Sequence, residues 1–320
     1  MREADAIARL RRIATHPGAR GLADDAALID GLVFTHDSIA EGVHFLPHDP
    51  PASVGWKLVA VNLSDLAAKG AMPLAGLLSL TLSAREGWVA GFLDGIAAAC
   101  EHYGLALIGG DTIALPAGAP LVLGLTAIGR AGERTPSRSG GRPGDRLWLV
   151  GTLGDSAAGL ALLKDDQTAT GALVEAYRKP VPLLAAGQAL ASHAGAMMDV
   201  SDGLLIDSGR MARASGCGAL IDLDALPLSA EFVADRGSGR AARLFAATGG
   251  DDYALLAALA PEIDPLSLCL PEGARVTAVG ILTHNDAPPL RLVQAGEPVA
   301  LPESLGHEHR SVAPPVDDRP

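Results

Sequence analysis

The sequence predicts two α/β domains joined by a short irregular segment. A chain of 320 residues is too long for one typical core, and two domains of roughly 150 residues each are expected. Strand-like and helix-like segments alternate in both halves. Between them, residues 131–144 (AGERTPSRSGGRPG) are rich in Gly, Pro, Ser and Arg. We therefore assign residues 1–136 to the first domain, 137–306 to the second and 307–320 to a tail.

The first half begins with MREADAIARLRRIA, which has the spacing of an amphipathic surface helix. AALID and LVFTHDSI predict strands, WKLVAVNLSDLAAKGA predicts a helix, and LAGLLSLTL is an apolar strand. Residues 85–103 predict a long helix. LALI predicts a strand that ends before the turn-like GGDT, and PLVLGLTAIG predicts another strand.

The second half begins with the strand DRLWLVG and the helix GDSAAGLALL. Further strand and helix segments end near ARVTAVGIL. The closing SVAPPVDDRP lacks periodicity, so no regular structure is predicted there.

Composition excludes several classes of function. The formal charge of −12 without a basic run argues against nucleic-acid binding, because phosphate backbones bind clustered Lys and Arg. No stretch approaches 18 uninterrupted apolar residues, so no membrane span is expected. The three widely separated cysteines form no C-x-x-C pair, which argues against a disulfide framework or a cysteine zinc site and fits a reducing cytoplasm.

Acidic residues beside Gly, Ser or Thr recur along the chain, and we interpret nearly all of them as lying at strand exits or turns. Any one of them could cap a helix or form a turn. Together they predict a ligand site, because binding residues of α/β folds concentrate at such positions. Carboxylate oxygens suit Mg²⁺ or Ca²⁺, and Mg²⁺ is commonly held by carboxylates together with substrate phosphates. The motifs are GLADDAALID, THDS, NLSD, GGDT, DVSDG and TGGDDY.

The usual nucleotide-binding motifs are absent. The sequence contains no G-x-x-x-x-G-K-[ST], no H-R-D with D-F-G, and no G-x-G-x-x-G that opens a helix. A bound nucleotide would therefore depend on metal ions and Gly-rich turns. Because the chain has few Lys compared with Arg, direct phosphate contact is expected from Arg138 or Arg142. Alternatively, these two side chains are solvated charges of the linker.

Taken in order, these motifs resemble the thiamine-monophosphate kinase family, within the superfamily of aminoimidazole ribonucleotide synthetase and selenophosphate synthetase. The resemblance runs from about Ile13 to Gly280, and EGVHF with NLSDLAA separates this family from its superfamily relatives. It implies a two-domain synthetase-like α/β (α+β) fold and a homodimer whose N-terminal sheets form a shared barrel. The stretches are DDAAL, HDSIAEGVHF, NLSDLAAKGA, LIGGDT, RSGGRPGD, GDSAAGL, MDVSDGLLID and GGDDYALL.

The resemblance also implies the reaction, which transfers the ATP γ-phosphoryl group to thiamine monophosphate and completes thiamine diphosphate synthesis. Several Mg²⁺ ions would assist, and no general base is expected, because the acceptor phosphate is largely ionised near pH 7. The implied metal ligands are Asp25, Thr35, His36, Asp37, Asp65, Asp111, Asp199 and Asp202. The implied ATP contacts are Gly110, Asp111, Arg138 and Ser201, and the implied thiamine phosphate contacts are His44, Asp251 and His307.

The sequence departs from the family pattern at four positions. Ala23 replaces a Gly in the opening motif, and His36 replaces a Thr, which a backbone carbonyl ligand would tolerate. Asp251 is one methylene shorter than the usual Glu. His307 stands where the family tends to place an aromatic ring against thiamine.

Two alternatives remain open at this level. The chain could be another enzyme of the superfamily that acts through an acyl or seleno phosphate, although a selenophosphate synthetase should carry a reactive Cys and none precedes Cys100. It could also be a non-catalytic regulator that binds Mg²⁺ or nucleotide. The remaining histidines are interpreted as surface residues, and the three tryptophans as packing residues.

Overall fold

The computed structural model describes residues 3–116, 118–285 and 288–307. The helices are α1 Glu3–Leu10, α2 Pro51–Ala68, α3 Trp88–Tyr103, α4 Asp155–Asp165, α5 Ala172–Arg178, α6 Leu184–Ala191, α7 Leu204–Ala214, α8 Ala230–Arg236 and α9 Arg240–Gly249. The strands are β1 Ala27–Ile29, β2 Leu32–Ala40, β3 Met72–Leu82, β4 Ala106–Ala114, β5 Val122–Arg130, β6 Arg146–Val150, β7 Ala196–Val200, β8 Gly218–Asp222, β9 Ala254–Leu259, β10 Val276–Thr283, β11 Leu290–Gln294 and β12 Glu297–Val299.

The strands of the first half form a five-stranded sheet in the order β1-β2-β5-β3-β4. Only β3 and β4 pair in parallel, and the other neighbours are antiparallel. Helices α2 and α3 pack together, and apolar residues of both join those of the sheet in one core. All nine residues of the edge strand β4 are exposed.

The strands of the second half form a seven-stranded sheet in the order β12-β11-β8-β10-β6-β9-β7. Its pairs are antiparallel except β8 with β11. Strands β7 and β9 have no exposed residue, because helices cover them and they lie beside the first domain. The two predicted α/β halves are thus confirmed as a mixed fold with mainly antiparallel sheets.

Helix α2 lies between the two sheets and is almost entirely buried. Pro51 begins it at a position where the missing N–H costs no hydrogen bond, and Gly70, at φ 60°, follows its end. The helix contacts β2 and β5 on one side and β7 and α6 on the other. Polar side chains on α2 can therefore reach both halves of the molecule.

Two predictions of secondary structure were wrong. GGDT is not a turn after a strand, because β4 runs through it and its residues from Gly109 to Ala114 pair with β3 after a register shift at Ile108. The chain also adds β11 and β12 after ARVTAVGIL, where no strand was predicted.

The boundary at residues 136 and 137 stays a prediction, and the closing segment SVAPPVDDRP lies outside the described residues. Within the described ranges, no helix combines the length and apolarity that crossing a membrane requires.

Candidate metal and phosphate site

Three carboxylates converge between the two sheets. One oxygen atom each of Asp25, Asp65 and Asp199 lies within 4.8 Å of the others. Asp25 precedes β1, Asp65 is on α2 and Asp199 is on β7. The cluster is thus built from elements far apart in sequence, and the meeting of α2 with both sheets brings them together.

The cluster is electrostatically strained without a cation. Burial, followed by repulsion from Asp37, Asp199 and Asp25, raises the pKa of Asp65 well above its ordinary value. Burial and the charge of Asp25 raise the pKa of Asp199 to about 8, although Ser64 donates a hydrogen bond to its Oδ2 at 2.7 Å. A divalent cation would relieve both the desolvation and the repulsion.

The donor set fits Mg²⁺. Its ligands would be carboxylate oxygens, as a hard cation prefers. Asp25 Oδ2 is buried and accepts no hydrogen bond from any described residue, although Lys69 Nζ lies 2.7 Å away as an ion pair. The contact with Lys69 is an ion pair outside hydrogen-bond geometry, so this oxygen keeps capacity for a ligand.

Strand β2 adds two of the predicted metal contacts on the face toward α2. The buried Thr35 donates from its hydroxyl to Asp65 Oδ2, and the half-buried Asp37 lies close enough to raise the pKa of that carboxyl. Asn62 of α2 accepts the backbone N–H of Asp37 at 2.9 Å. His36 alternates to the exposed face, where its Nδ1 lies 2.9 Å from Thr126 Oγ1. The His36 side chain therefore points away from the cluster.

Basic side chains hold the Asp24–Asp25 turn. The fully buried Lys69 lies 2.5 Å from Asp24 Oδ1, and Arg138 donates to Asp25 Oδ1 through its guanidinium. Burial raises the pKa of Asp24, but Lys69 and Arg20 outweigh it and set the pKa to about 2. Arg138, interpreted from sequence as a residue of a flexible segment, is thus fixed beside a candidate metal ligand.

The turn after β7 brings together Ser201, Asp202 and His307. Arg210 pairs with Asp202, and the fully buried Asp207 accepts the backbone N–H of Asp202 at 3.0 Å. The backbone N–H of His307 donates to the Asp202 carbonyl at 2.9 Å. Asp207, for which no role was predicted, therefore shapes this turn.

The GGDDY turn lies against the same region. The backbone N–H of Asp251 donates to the Ser201 carbonyl at 2.6 Å, and Ser156 Oγ donates to Asp251 Oδ2 at 2.8 Å. Lys57 Nζ donates to Asp251 Oδ2 at 2.6 Å and to the His44 carbonyl at 3.1 Å. Two of the three predicted thiamine phosphate contacts, His44 and Asp251, thus share one lysine.

Gly110 and Asp111 lie in the middle of the exposed edge strand β4. Asp111 is not one of the three clustered carboxylates. A Cβ at Gly110 would lie 1.9 Å from the Leu78 carbonyl, and its φ of 154° further favours glycine. Asp37 and Asp65 lie within β2 and α2, as the strand predicted for LVFTHDSI and the helix predicted for WKLVAVNLSDLAAKGA require, and Asp199 lies within β7 and not at its exit.

Sequence reasoning missed the polar side of α2 and its C-terminal cap. The expectation that Arg alone would face phosphate overlooked two buried lysines, which lie near the candidate site. A charged residue inside an otherwise apolar helix is a signal that could have identified them. The overlooked residues are Lys57, Asn62, Ser64 and Lys69.

Comparisons with known families define the class. The model described as AIR synthase related protein, N-terminal domain, matches residues 23–131, and the model of its C-terminal domain matches residues 142–286. The chain thus has both halves of an AIR synthase-related protein.

Closer relatives define the family within that class. The thiamine-monophosphate kinase of Salmonella typhimurium is 39% identical over 303 residues, covering 90% of this chain and 91% of the relative. The enzyme of Caulobacter vibrioides is 40% identical, covering 81% of this chain and 77% of the relative. The chain belongs to the thiamine-monophosphate kinase family, and the expected resemblance is confirmed.

Solved structures agree with this assignment. The structure described as AaThiL complexed with AMPPCP and TMP has a TM-score of 0.82 at 29% identity and covers 97% of both chains. The thiamine-monophosphate kinase from Stenotrophomonas maltophilia K279a has a TM-score of 0.71 at 35% identity, covering 92% of this chain and 96% of the other. The Escherichia coli hydrogenase maturation protein HypE, at 22% identity and a TM-score of 0.69, shares the fold.

Proposed function

We propose that this chain transfers the γ-phosphoryl group of ATP to thiamine monophosphate, giving thiamine diphosphate and ADP. The observation that carries the proposal is the buried cluster of Asp25, Asp65 and Asp199, whose repulsion calls for bound cations. The names of the relatives and the AMPPCP and TMP of the structural neighbour support the same substrates.

The reaction requires two anions to approach each other. At about 4 Å, one pair of charges repels by roughly 4 kcal/mol at an effective dielectric near 20. Mg²⁺ ions held by these carboxylates, by Asp37 close to them and by Asp202 would neutralise phosphate charge. We infer several ions per site from the number of carboxylates around one cleft.

The chain itself supplies orientation. The guanidinium of Arg138 is the positively charged group that would contact the ATP phosphates, since it lies beside Asp25. Ser201 and Asp251 are joined through the backbone, which would set the ATP and thiamine phosphate sites at a fixed separation. The acceptor phosphate is largely ionised near neutral pH, so the reaction needs no residue to remove a proton.

We further propose a homodimer joined through the N-terminal sheets. The edge strand β4 is exposed along its length and carries Leu107, Ile108 and Ile113 with 46%, 62% and 43% of their surface accessible. An exposed apolar edge strand invites pairing with another strand. A second copy of the same sheet would cover it and extend the sheet toward a barrel.

The test combines ATP, Mg²⁺ and thiamine monophosphate, with thiamine diphosphate followed by chromatography. The purified chain should form thiamine diphosphate in a Mg²⁺-dependent reaction. The variant Asp202→Asn should lose most activity while its circular dichroism spectrum is unchanged. Turnover close to wild type in Asp202→Asn would remove that residue from the metal set.

A further inference from the structure

We propose that Lys57 is a positioning residue for the acceptor: it holds Asp251 and the His44 segment in the arrangement that recognises thiamine phosphate. This inference rests on the proposed function. Lys57 is 2% exposed on α2, and its Nζ donates to Asp251 Oδ2 at 2.6 Å and to the His44 carbonyl at 3.1 Å. One ammonium group thus joins His44 and Asp251, which lie 207 positions apart in the sequence.

The surroundings of the ammonium group favour positioning over direct contact with substrate. A buried ammonium is costly unless its donors are paired. Besides its two hydrogen bonds, Nζ lies 4.1 Å from the centroid of the Tyr177 ring, which provides a cation–π contact. Lys57 would have to give up one of these partners to bind a phosphate, so its effect on substrate passes through Asp251 and His44.

The turn that carries Asp251 needs such support. Asp251 has φ 63° and Tyr253 has φ 52°, a left-handed conformation that L-residues rarely adopt. The backbone is held to the end of β7 by N–H bonds from Asp251 to Ser201 and from Tyr253 to Val200. The Asp251 side chain is held by Lys57 and by Ser156 Oγ. Loss of Lys57 removes the cationic partner of the Asp251 side chain.

The Lys57–Asp251 salt bridge could also serve only to join the two halves of the molecule. A second ion pair offers a matched control for that alternative. Arg178 of α5 pairs with Asp49, just before α2, with 2.9 Å between Nε and Oδ1. Their side chains are 12% and 2% exposed. This ion pair joins the same two halves and includes neither Asp251 nor His44. Asp49 keeps its hydrogen bond from the backbone N–H of Leu46 at 2.7 Å when Arg178 is replaced, so this variant reports the effect of losing the charged tie.

The experiment measures KM for each substrate in Lys57→Met, Lys57→Arg and Arg178→Met. For Lys57→Met we expect KM for thiamine monophosphate to rise about tenfold or more, as loss of a charge-assisted hydrogen bond implies, with KM for ATP within about twofold of wild type. Lys57→Arg, which keeps the cation, should lie between wild type and Lys57→Met. Arg178→Met should leave both KM values unchanged. Equal changes in both KM values, or an unchanged KM for thiamine monophosphate, would overturn the proposal.

A double variant covers the case in which Lys57→Met does not fold. The double variant with Asp251→Asn removes both charges, which is less disruptive than leaving one buried. Its KM for thiamine monophosphate should exceed that of Asp251→Asn by less than tenfold, because only the tie to His44 is then lost, and a further tenfold rise would overturn the role of Lys57 through Asp251. If the wild-type chain forms no thiamine diphosphate, the proposed function itself fails. If it does and Lys57→Met behaves as wild type, only the Lys57 proposal fails.

Discussion

The substitution Asp199→Asn tests whether the buried carboxylate cluster requires a cation. Asparagine keeps the shape of the side chain, and its carbonyl oxygen can still accept the hydrogen bond from Ser64. The substitution removes one negative charge from the centre of the cluster. It should therefore stabilise the metal-free protein near neutral pH and weaken Mg²⁺ binding at the same time.

The magnitude follows from the pKa of Asp199. Burial raises it from 3.8 to about 8, so between these pH values the folded chain holds a proton that the unfolded chain has released. The free energy of unfolding of the metal-free protein must then fall as pH rises through this window. At about 1.4 kcal/mol per pH unit, the loss between pH 3.8 and pH 7 is at most about 4 kcal/mol. Asp65, whose pKa is also raised, adds to the same slope.

The assay is denaturant unfolding in EDTA at several values between pH 5 and pH 8, followed by circular dichroism. Wild-type stability should decline across this range, and Asp199→Asn should decline less steeply. Added Mg²⁺ should stabilise the wild type more at pH 8 than at pH 5, because protons compete for the ligands, and should stabilise the variant less. Identical pH slopes for the two proteins would refute the reasoning.

Three further predictions concern other parts of the molecule. Lys69→Met leaves the buried Asp24 without its lysine and should lower the free energy of unfolding by about 3–5 kcal/mol in a denaturant titration. A decrease below about 1 kcal/mol would contradict a stabilising role for this ion pair. Gly187→Ala places a Cβ 2.0 Å from a carbonyl of α2 and should cost about 1–3 kcal/mol, while Gly209→Ala, whose nearest neighbour is at 4.0 Å, should be neutral or stabilising. Ile108→Lys should shift the chain to a monomer in size-exclusion chromatography with light scattering, and an unchanged dimer would place the interface elsewhere.

The fold was largely predictable because the hydrophobic periods were clear. The spacing of WKLVAVNLSDLAAKGA identified α2, and apolar runs identified β3 and β5. Glycine-rich segments misled the prediction at β4, where GGDT looks like a turn. Gly110 is needed there for close approach to β3, an effect of tertiary packing that local sequence does not encode.

The candidate site was predictable in its residue types but not in its arrangement. Repeated carboxylates in turn-like motifs pointed to Asp25, Asp65 and Asp199, which the fold does bring together. The sequence could not show which side of β2 faces the cluster, so His36 was grouped with Thr35, and whether its side chain or only its backbone would contact metal was left open. It also could not reveal Lys57 and Lys69 as ion-pair partners, because the carboxylates that they pair with lie 194 and 45 positions away in the sequence.

The most direct test of the central claim is the stoichiometry of phosphoryl transfer, followed by ³¹P nuclear magnetic resonance. In a mixture of ATP, Mg²⁺ and thiamine monophosphate, the chain should form one thiamine diphosphate for each ADP, and EDTA should stop the reaction. ADP and free phosphate without thiamine diphosphate, or no turnover at any Mg²⁺ concentration, would contradict the proposal that this acidic cleft transfers phosphate to thiamine monophosphate.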